Sequence, residues 1–561
     1  MPPNLTVATD TTEARKARGA FFTPSSVAQF IVDWAVRGDD DAVLEPSCGE
    51  AAFLEHAVRR LASLAAQGST NDLRPPKVDG VEIHAESARK AERVVRENGG
   101  DPSITVADFF TLPPEPRYSA VVGNPPYIRY QDFSGLARLR SQEAALRAGV
   151  PMSGLASSWA AFTIHSALFL KRGGRLGLVV PAELLSVNYA AEVRRFLFDR
   201  FETVTLVMFT ERVFLDAQEE VVLVLAEGYE DGPTDHAVIH QVHNAADLSN
   251  LATATKWSPK RAEDKWTPSL LLPDALSVYD ALLSDHRFNQ LQEWGDTTLG
   301  MVTGANRFFA MSPSRAKELG LTHRELIRLS PPGSSHLRGL SLSDHALREL
   351  GNSGLATRLF RPTGDVSKAA QHYIELGEAT GVHEAYKCRV RSPWWRVPLV
   401  RPAHLILTYM NADTPRITTN SANAHHLNSV HGVYLRPGLV DLGQRLLPIA
   451  SLNSMTMVGA EAVGRAYGGG ILKLEPREAD VLPVPSPEAV VSAAPALQAI
   501  RSRVAANLRA GRLLEAVHLV DRVLLEDAIG VRREQVRMLQ TEYVRLATRR
   551  NARSASARVQ A

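Results

Sequence analysis

The chain is poor in cysteine, has no long apolar run and carries almost no net charge. Its two cysteines, Cys48 and Cys388, argue against a disulfide framework and cannot by themselves form a metal cluster. No run of about 18 apolar residues occurs, so no membrane-spanning helix is predicted. The first residues lack the apolar core of a signal peptide, and a cytoplasmic protein is therefore expected. With a net charge of +2, any surface for nucleic acid must be a local patch.

The length and composition are those of a globular protein with more than one domain. A chain of 561 residues is too long for a single core, and two or three domains are expected. An apolar content of 45% and a charged content of 22% are ordinary for such proteins. The sequence also lacks the G-x-G-x-x-G pattern that would indicate a pyrophosphate cradle.

Residues 123–128 read Gly-Asn-Pro-Pro-Tyr-Ile, and they follow an apolar run at 118–123 that predicts a buried strand. The two prolines end that strand in a stiff turn. Asn124 and the carbonyl of Pro125 can accept hydrogen bonds from a planar amino group, while Tyr127 can stack on the same ring. This suits transfer to an amine that is conjugated into a ring. The alternative is that the segment is only a turn.

Three carboxylates upstream each follow a short apolar strand. Glu45 lies in a strand–turn–helix unit over residues 42–54, where a carboxylate suits a cationic ligand. Glu82 ends the next strand and can bind two ribose hydroxyls. Asp108 ends a third strand and can accept from an adenine amino group, with Phe109 covering the ring. Each carboxylate taken alone could be a solvated loop residue or a helix cap.

Residues 19–230 resemble an N6-adenine DNA methyltransferase of the gamma arrangement, the TaqI-like and Eco57I-like group. Five motifs occur in that group's order: Gly-Ala-Phe-Phe-Thr-Pro, Leu-Glu-Pro-Ser-Cys-Gly, Gly-Val-Glu-Ile, Ala-Asp-Phe-Phe and Asn-Pro-Pro-Tyr-Ile. The resemblance implies S-adenosylmethionine as cofactor and methylation of adenine N6 in double-stranded DNA after base flipping. It also implies the modification component of a restriction-modification or related phage-defence system.

The resemblance also implies roles for individual residues. The implied cofactor-binding residues are Phe22, Thr23, Glu45, Ser47, Cys48, Gly49, Glu82, Ile83, Asp108, Phe109 and Asn124. The implied catalytic residues are Asn124, Pro125, Pro126, Tyr127 and Phe214. Phe214 lies where the family has an aromatic residue that stacks on the flipped base, although it could instead plug a hairpin. No metal is implied.

The second half of the chain mixes basic and aromatic residues, which can contact phosphate, guanine edges and bases. The candidate DNA-binding residues are Asn306, Arg307, Lys387, Arg389, Arg391, Trp394, Trp395 and Arg396. A plain amphipathic strand with a tryptophan core is the alternative for 386–396. For His425, His426 and His431, hydrogen bonding within the domain or to DNA fits better than a metal site.

The predicted fold class is α/β, with four segments along the chain. A flexible tail over 1–18 precedes a Rossmann-like class I methyltransferase domain with a mixed sheet over 19–230. An α+β target-recognition domain over 231–485 and a basic helical segment over 486–561 follow. From Arg501 onward, thirteen Arg against six Asp or Glu give 13 − 6 = +7. This charge suits either contact with DNA phosphate or a solvated helix.

The predicted partners are double-stranded DNA and a separately encoded restriction endonuclease or defence-system subunits, in a cytoplasmic, nucleoid-associated setting. Two other functions are open. One is methylation of RNA or of a protein glutamine, since such enzymes share Asn-Pro-Pro-Tyr. The other is a non-catalytic DNA-binding specificity subunit, against which the intact motif set argues.

Overall fold

The computed structural model describes residues 23–67, 74–211, 213–214, 220–251, 254–362, 364–467 and 469–558. The chain divides into two compact units, and the division falls between Ser269 and Leu270. Phe22, one of the predicted cofactor residues, lies outside the described residues.

The first unit is built on one nine-stranded sheet. Its strands are β1 Val43–Glu45, β2 Lys77–Glu82, β3 Asp101–Val106, β4 Tyr118–Gly123, β5 Leu170–Pro181, β6 Phe201–Phe209, β7 Val221–Tyr229, β8 Ala237–Val242 and β9 Thr255–Trp257. Their order is β3-β2-β1-β4-β5-β7-β6-β8-β9. The first five strands in this order are parallel, whereas β7 is antiparallel to both β5 and β6. The sheet is therefore mixed, as the sequence predicts.

Helices precede β1 and connect the strands from β1 to β6. They are α1 Ser25–Ala35, α2 Leu54–Gln67, α3 Ala85–Glu97, α4 Gly135–Leu146, α5 Ser158–Ala167, α6 Glu183–Ser186 and α7 Ala191–Arg200, with short 3-10 turns at Phe109–Thr111, Asn188–Ala190 and Ala245–Asn250. The apolar side chains of α1 recur at helical spacing, and Val27, Ile31 and Ala35 are buried. All ten residues of α5 are buried, so this helix lies inside the unit.

The topology brings the predicted motifs to one edge of the sheet. From β1 the chain proceeds outward to β2 and β3 and then returns to β4 on the other side of β1. The carboxyl ends of β1 and β4 flank this switch point, which is where ligands bind in open α/β sheets. A Cβ atom built on Gly123 would lie 3.6 Å from both Glu45 Cγ and Pro46 Cδ. The turns that follow β1 and β4 are thus in direct contact.

The end of the first unit differs from the predicted domain boundary. The sheet continues through β8 and β9 to Trp257, beyond the predicted boundary near residue 230. The Gly- and Pro-rich composition at 228–233 marks a turn within the sheet, because local composition indicates a chain reversal equally well within a domain and between domains.

The second unit combines small sheets with many helices. Its strands are β10 Phe288–Gln290, β11 Gly295–Leu299, β12 Ala310–Met311, β13 Leu326–Arg328, β14 Arg358–Phe360, β15 Leu405–Thr408, β16 Met410–Asn411, β17 Ile417–Thr419, β18 Val430–Leu435, β19 Arg465–Tyr467, β20 Ile471–Lys473 and β21 Pro483–Pro485. Its helices are α8 Pro273–Ser284, α9 Leu291–Trp294, α10 Asn306–Phe309, α11 Pro313–Glu318, α12 Asp344–Asn352, α13 Lys368–Ala379, α14 Tyr386–Arg389, α15 Val440–Ala450, α16 Ser454–Val463, α17 Pro476–Asp480, α18 Pro487–Arg509, α19 Leu513–Val520 and α20 Arg533–Arg558. A π-helical segment, Asp521–Ala528, and 3-10 turns at Val382–Glu384 and Pro437–Leu439 complete it.

The C-terminal helices belong to the main core of this unit. Val490 and Leu497 on α18 and Leu539 on α20 are buried in one cluster with Trp294 and Val433. The described part of the predicted segment 486–561 is therefore packed into the same body as the residues before it, because its apolar side chains cover a core that those residues leave open.

Arginines of α20 take part in this packing. Arg550 pairs with Glu461 at 2.9 Å and donates to the carbonyl of Asp413 at 2.8 Å. Arg545 pairs with Glu542 at 2.6 Å. These two arginines are structural, which neither interpretation of the basic C-terminus anticipated.

Within the described residues, no single helix has the length and apolar composition needed to cross a membrane. One bent pair, Pro437–Ala450 with Ser454–Val463, has that length and composition when its two helices are taken together.

Candidate active site

The turn after β4 holds the Asn124 side chain in a defined orientation. Its amide nitrogen, Nδ2, donates to Thr23 Oγ1 at 3.1 Å. Its oxygen, Oδ1, accepts from the Tyr127 hydroxyl at 2.7 Å, and that hydroxyl is also 3.1 Å from the carbonyl of Val179 on β5. Asn124 is half-buried, and Tyr127 is 7% exposed. The predicted residues Thr23, Asn124 and Tyr127 are therefore brought together at the carboxyl end of β4.

Glu82 ties the end of β2 to the turn after β1. One carboxylate oxygen accepts from the backbone N–H of Gly49, and the other accepts from that of His84, both at 2.9 Å. A carboxylate offers about four acceptor positions, so these two bonds leave capacity for a further donor. Glu82 thus both shapes the turn and faces the edge where β1 and β2 end.

Glu45 has a different environment from the one that a bound cation would require. It is buried and accepts from the backbone N–H of Leu54 at 3.1 Å, at the start of α2. Burial, followed by the nearby charge of Glu82 as a smaller cause, raises the pKa of the Glu45 carboxyl well above its usual range. The structure therefore assigns Glu45 to the start of the helix, one of the alternatives that the sequence leaves open.

The residues between Glu45 and α2 form a narrow turn. Burial raises the pKa of the Cys48 thiol, which keeps it protonated and suits packing better than nucleophilic attack. Gly49 has a positive φ of 52°, and a Cβ there would meet nothing within 4 Å. The Ser47 hydroxyl is buried and has no hydrogen-bond partner among the described residues. An unpaired buried hydroxyl is a feature that a bound polar ligand would complete.

The neighbouring ends of β2 and β3 carry exposed apolar side chains, and a carboxylate just after β3 already has partners. Ile83 is 59% exposed and Val106 is 54% exposed, which is unusual for branched apolar side chains. Asp108 accepts from the backbone N–H of Phe110 at 3.1 Å and pairs with Arg140 at 3.2 Å. The sequence reasoning missed Arg140, because 32 residues separate it from its partner and no local pattern marks it.

The Phe109 ring lies in an aromatic cluster of the core. It stacks on Phe162 with ring centroids 5.4 Å apart, and it also contacts His165 and Phe169. It is 3% exposed. A ring that covers adenine must present one face to the ligand, whereas Phe109 is surrounded by side chains. Its contact with adenine stays a prediction, and it would require the ring to leave this cluster.

Phe214 is buried in this structure. Residues 212 and 215–219, its neighbours in the connector between β6 and β7, are outside the described residues. Its role as a stacking residue stays a prediction. Pro125 is also buried, whereas Pro126 is half-buried.

Ser158 contacts the same turn and was not singled out from the sequence. Its hydroxyl accepts from the backbone N–H of Ile128 at 2.9 Å and donates to the carbonyl of Pro126. Two serines before an apolar run indicate a helix start, but that signal does not say which segment the hydroxyl reaches.

In the second unit, a loop and a short helix form one exposed surface. The loop before α10, together with the first two residues of that helix, spans residues 302–307 and lies against α14. A Cβ on Gly304 would come within 2.8 Å of Lys387 Cβ. Gly304 therefore permits this close approach, and its φ of 87° also favours glycine. The exposed side chains on this surface, here named the basic loop–helix surface, are Val302, Asn306, Arg307, Tyr386, Lys387 and Arg389.

Three of the four other candidates for DNA contact take part in packing or hydrogen bonding within the fold. Arg391 donates to the carbonyl of Thr303 at 2.8 Å and also to the carbonyl of Val302. Burial lowers the pKa of its guanidinium, in keeping with a structural position. Trp395 belongs to the core cluster of this region, and Trp394 packs at its edge with its ring N–H on Glu378 at 3.0 Å. Arg396 is exposed above the Trp395 ring.

The histidines His425, His426 and His431 are buried or half-buried, and two of them lie within hydrogen-bond distance of backbone carbonyls. His425 Nδ1 lies 2.8 Å from the carbonyl of Val400, and His431 Nε2 lies 2.7 Å from that of Leu474. Burial lowers the pKa of His426 to about 4, so its ring is neutral. Among the described residues, no group of three or more His, Cys, Asp or Glu side chains has the arrangement to hold a metal ion.

Comparisons with protein families match both halves of the chain. A family described as N-6 DNA Methylase matches residues 6–256. A family described as the C-terminal domain of Type II methyltransferase M.Eco57I matches residues 263–525. The division between the structural units, between Ser269 and Leu270, lies just inside the start of the second match.

Curated relatives match along most of their length. The Type II methyltransferase M.XamI of Xanthomonas campestris pv. amaranthicola is 27% identical over 485 residues, which are 84% of this chain and 85% of that protein. M.AccI of Acinetobacter calcoaceticus is 24% identical over 476 residues, covering 83% of this chain and 85% of that protein. Among solved structures, the Type IIL restriction-modification enzyme MmeI in complex with DNA has a TM-score of 0.58 at 11% identity. That match covers 93% of this chain and 75% of that chain, and it shows similarity of fold.

Proposed function

Because the chain belongs to the N6-adenine DNA methyltransferases that carry an M.Eco57I-type C-terminal domain, we propose that it methylates adenine N6 within a specific site of duplex DNA, with S-adenosylmethionine as cofactor. The single observation that carries the assignment of roles is the orientation of Asn124. Its carboxamide is fixed by Thr23 and Tyr127 at the sheet edge where β1 and β4 end.

The residues around that edge fit S-adenosylmethionine. The unpaired Ser47 hydroxyl and the space beside Gly49 suit its amino-acid portion. Glu82 has unused acceptor capacity for the two ribose hydroxyls. The exposed Ile83 and Val106 offer an apolar surface to a purine ring. When bound, the cofactor supplies a methyl group activated by its sulfonium.

In the proposed mechanism, Asn124 and Pro125 act on the amino group of the extruded adenine. The Asn124 oxygen and the Pro125 carbonyl accept its two hydrogens, which directs the nitrogen lone pair towards the methyl group. Such a displacement depends on placement of the reactants more than on a strong base. Tyr127 stacks on the flipped ring, and Phe214 is proposed as a second stacking residue. The adenine must leave the duplex because its amino group is otherwise inaccessible.

Sequence recognition is proposed for the second unit, on the basic loop–helix surface. Arg307, Lys387 and Arg389 are exposed there beside an exposed tyrosine, Tyr386. Exposed cations can pair with phosphates or guanine edges, and an exposed aromatic ring can contact bases. Arg391 holds the loop to the helix and is assigned a structural role here.

We further propose that the protein is the modification component of a Type II restriction-modification system, acting at the nucleoid. This context rests on its relatives, which are themselves Type II methyltransferases. The corresponding endonuclease would be a separately encoded protein.

The test of the proposed function separates base flipping from methyl transfer. Duplex DNA carrying 2-aminopurine at the target position reports extrusion by fluorescence, and single-turnover incorporation of labelled methyl reports transfer. Asn124→Ala is expected to keep the fluorescence change and to lose methylation. Phe214→Ala is expected to show a smaller change, and Phe214→Trp is expected to retain most of it, because stacking contributes on the order of 1–3 kcal/mol per base.

Two results would contradict these assignments. Methylation by Asn124→Ala at the normal rate would remove the catalytic role from this turn. Wild-type behaviour of Phe214→Ala in both assays would leave Tyr127 as the better candidate for stacking. The recognition sequence is first obtained by methylation-sensitive sequencing of DNA from cells that express the chain.

A further inference from the structure

The turn that carries Asn124 has few means of holding its own shape. Pro125 and Pro126 lack backbone N–H groups, so two consecutive residues cannot donate hydrogen bonds to close the turn. The turn also ends a strand, and its carbonyls are therefore beyond the ladder of the sheet. Groups outside the turn must therefore form hydrogen bonds with its backbone if Asn124 is to keep one position.

Ser158, the first residue of α5, provides such a group. Its hydroxyl bonds to the two peptide groups on either side of Tyr127: it donates to the carbonyl of Pro126 and accepts from the N–H of Ile128 at 2.9 Å. Its own backbone N–H donates to the carbonyl of Ile128 at 3.1 Å. One serine therefore makes three hydrogen bonds to the residues that directly follow Asn124 and Pro125.

The surroundings of Ser158 make it a stiff support. It is 1% exposed, so bulk water does not reach the turn to compete for these hydrogen bonds. It is anchored on a helix whose ten residues are all buried. A side chain that is fixed by such packing can hold a neighbouring loop to within a fraction of an ångström.

We propose that Ser158 is a positioning residue for methyl transfer, which sets the place of the Asn124 and Pro125 acceptors through the 126–128 backbone. This inference rests on the proposed function. A displacement of about 1 Å at reacting groups can lower a rate about a hundredfold. Loss of the Ser158 hydroxyl therefore acts on the transfer step, whereas cofactor affinity depends on residues at the ends of β1 and β2.

The test compares Ser158→Ala with a matched variant of the same helix. Ser166→Ala removes another buried hydroxyl of α5, and that hydroxyl has no partner among the described residues. Ser158→Ala is expected to lower the single-turnover methylation rate about ten- to a hundredfold. Its affinity for S-adenosylmethionine by calorimetry and its 2-aminopurine fluorescence change should stay within about twofold of wild type. Ser166→Ala should match wild type in all three measurements.

Ser158→Cys guards against a folding defect, because it keeps the side-chain size and replaces the hydroxyl by a weak donor. The folded variant should again lose rate without losing cofactor affinity. A wild-type rate in either folded Ser158 variant overturns the inference, and so does an equal loss in Ser166→Ala. Wild type and Asn124→Ala are measured alongside. If wild type fails to methylate adenine, the proposed function itself is wrong. If only Ser158→Ala has an unexpected, normal rate, the proposed function stands and only the role of Ser158 is removed.

Discussion

The hydroxyl of Tyr127 bonds to the Asn124 oxygen that the proposed chemistry needs as an acceptor, and its removal gives a sharp test of that chemistry. The hydroxyl donates to Asn124 Oδ1 at 2.7 Å, so it draws on the same oxygen that is proposed to accept from the target amine. An amide oxygen has two lone pairs, and the two donors must either share it or compete for it. Tyr127→Phe removes the hydroxyl and keeps the ring that is proposed to stack on the base.

The magnitude follows from the value of one hydrogen bond. A net contribution of about 0.5–1.5 kcal/mol to stability is expected from such a bond. Relief of competition by the same amount raises the transfer rate by about two- to tenfold, since about 1.4 kcal/mol corresponds to a factor of ten. Thr23 still holds the Asn124 amide through Nδ2 at 3.1 Å in the variant, so the carboxamide keeps one of its two supports. The variant should therefore methylate faster in single turnover while its free energy of unfolding falls, because the Val179 carbonyl also loses this neighbour.

A tyrosine on the same strand supplies the control. Tyr118 begins β4, far along the strand from Asn124, and its hydroxyl bonds to Asp79 at 2.6 Å. Tyr118→Phe should lower the free energy of unfolding without any change in the methylation rate. A rate for Tyr127→Phe more than about tenfold below wild type would refute the reasoning, because the hydroxyl would then assist transfer.

Three further predictions concern the cofactor edge and the second unit. Glu82→Gln should weaken S-adenosylmethionine binding by about 1–3 kcal/mol in calorimetry, because the carboxylate loses charge-assisted bonds; unchanged affinity would contradict its assignment. Burial raises the pKa of Glu45 in the folded protein, so this group contributes stability at low pH that is lost as the pH rises through the folded pKa. In Glu45→Gln, the free energy of unfolding measured with denaturant from about pH 4 upward should decline less with rising pH than in wild type. Identical pH profiles of the two proteins would contradict the raised pKa of Glu45. Arg389→Ala should lower DNA affinity by an amount that shrinks at high salt, whereas Arg391→Ala should mainly lower the unfolding midpoint; gel shifts and melting curves that reverse this pattern would exchange their roles.

The family and the order of the motifs were predictable from the sequence because they depend on local patterns. A strand that stops at Gly-Asn-Pro-Pro-Tyr can be identified from apolar residues followed by prolines, and the observed β4 ends at Gly123. The alternation of short strands with acidic ends and helices predicts a parallel sheet, and the carboxyl ends of β1 and β4 do flank its switch point. The mixed α/β fold and the methyltransferase family were therefore predicted correctly.

The domain boundaries were harder to predict from the sequence. The turn at 228–233 has the composition of a linker, yet β8 pairs in parallel with β6 and continues the same sheet. Composition reports that the chain reverses there, but it does not report which strand the following segment will pair with. The same holds for α20, whose arginines read as a charged surface although Arg550 is buried against Glu461.

What the sequence by itself determined is the kind of chemistry, because residue types and their spacing specify which donors and acceptors follow each strand. What only the tertiary structure decided is how each of those groups is used. Glu45 accepts a hydrogen bond from the backbone at the start of α2, and Arg391 donates to carbonyls 88 and 89 residues earlier in the chain. Ser158 reaches the Asn124 turn from 30 residues away. Hydrogen bonds between distant segments exist only once the chain has folded, because they depend on atomic positions that the packing of the whole unit sets.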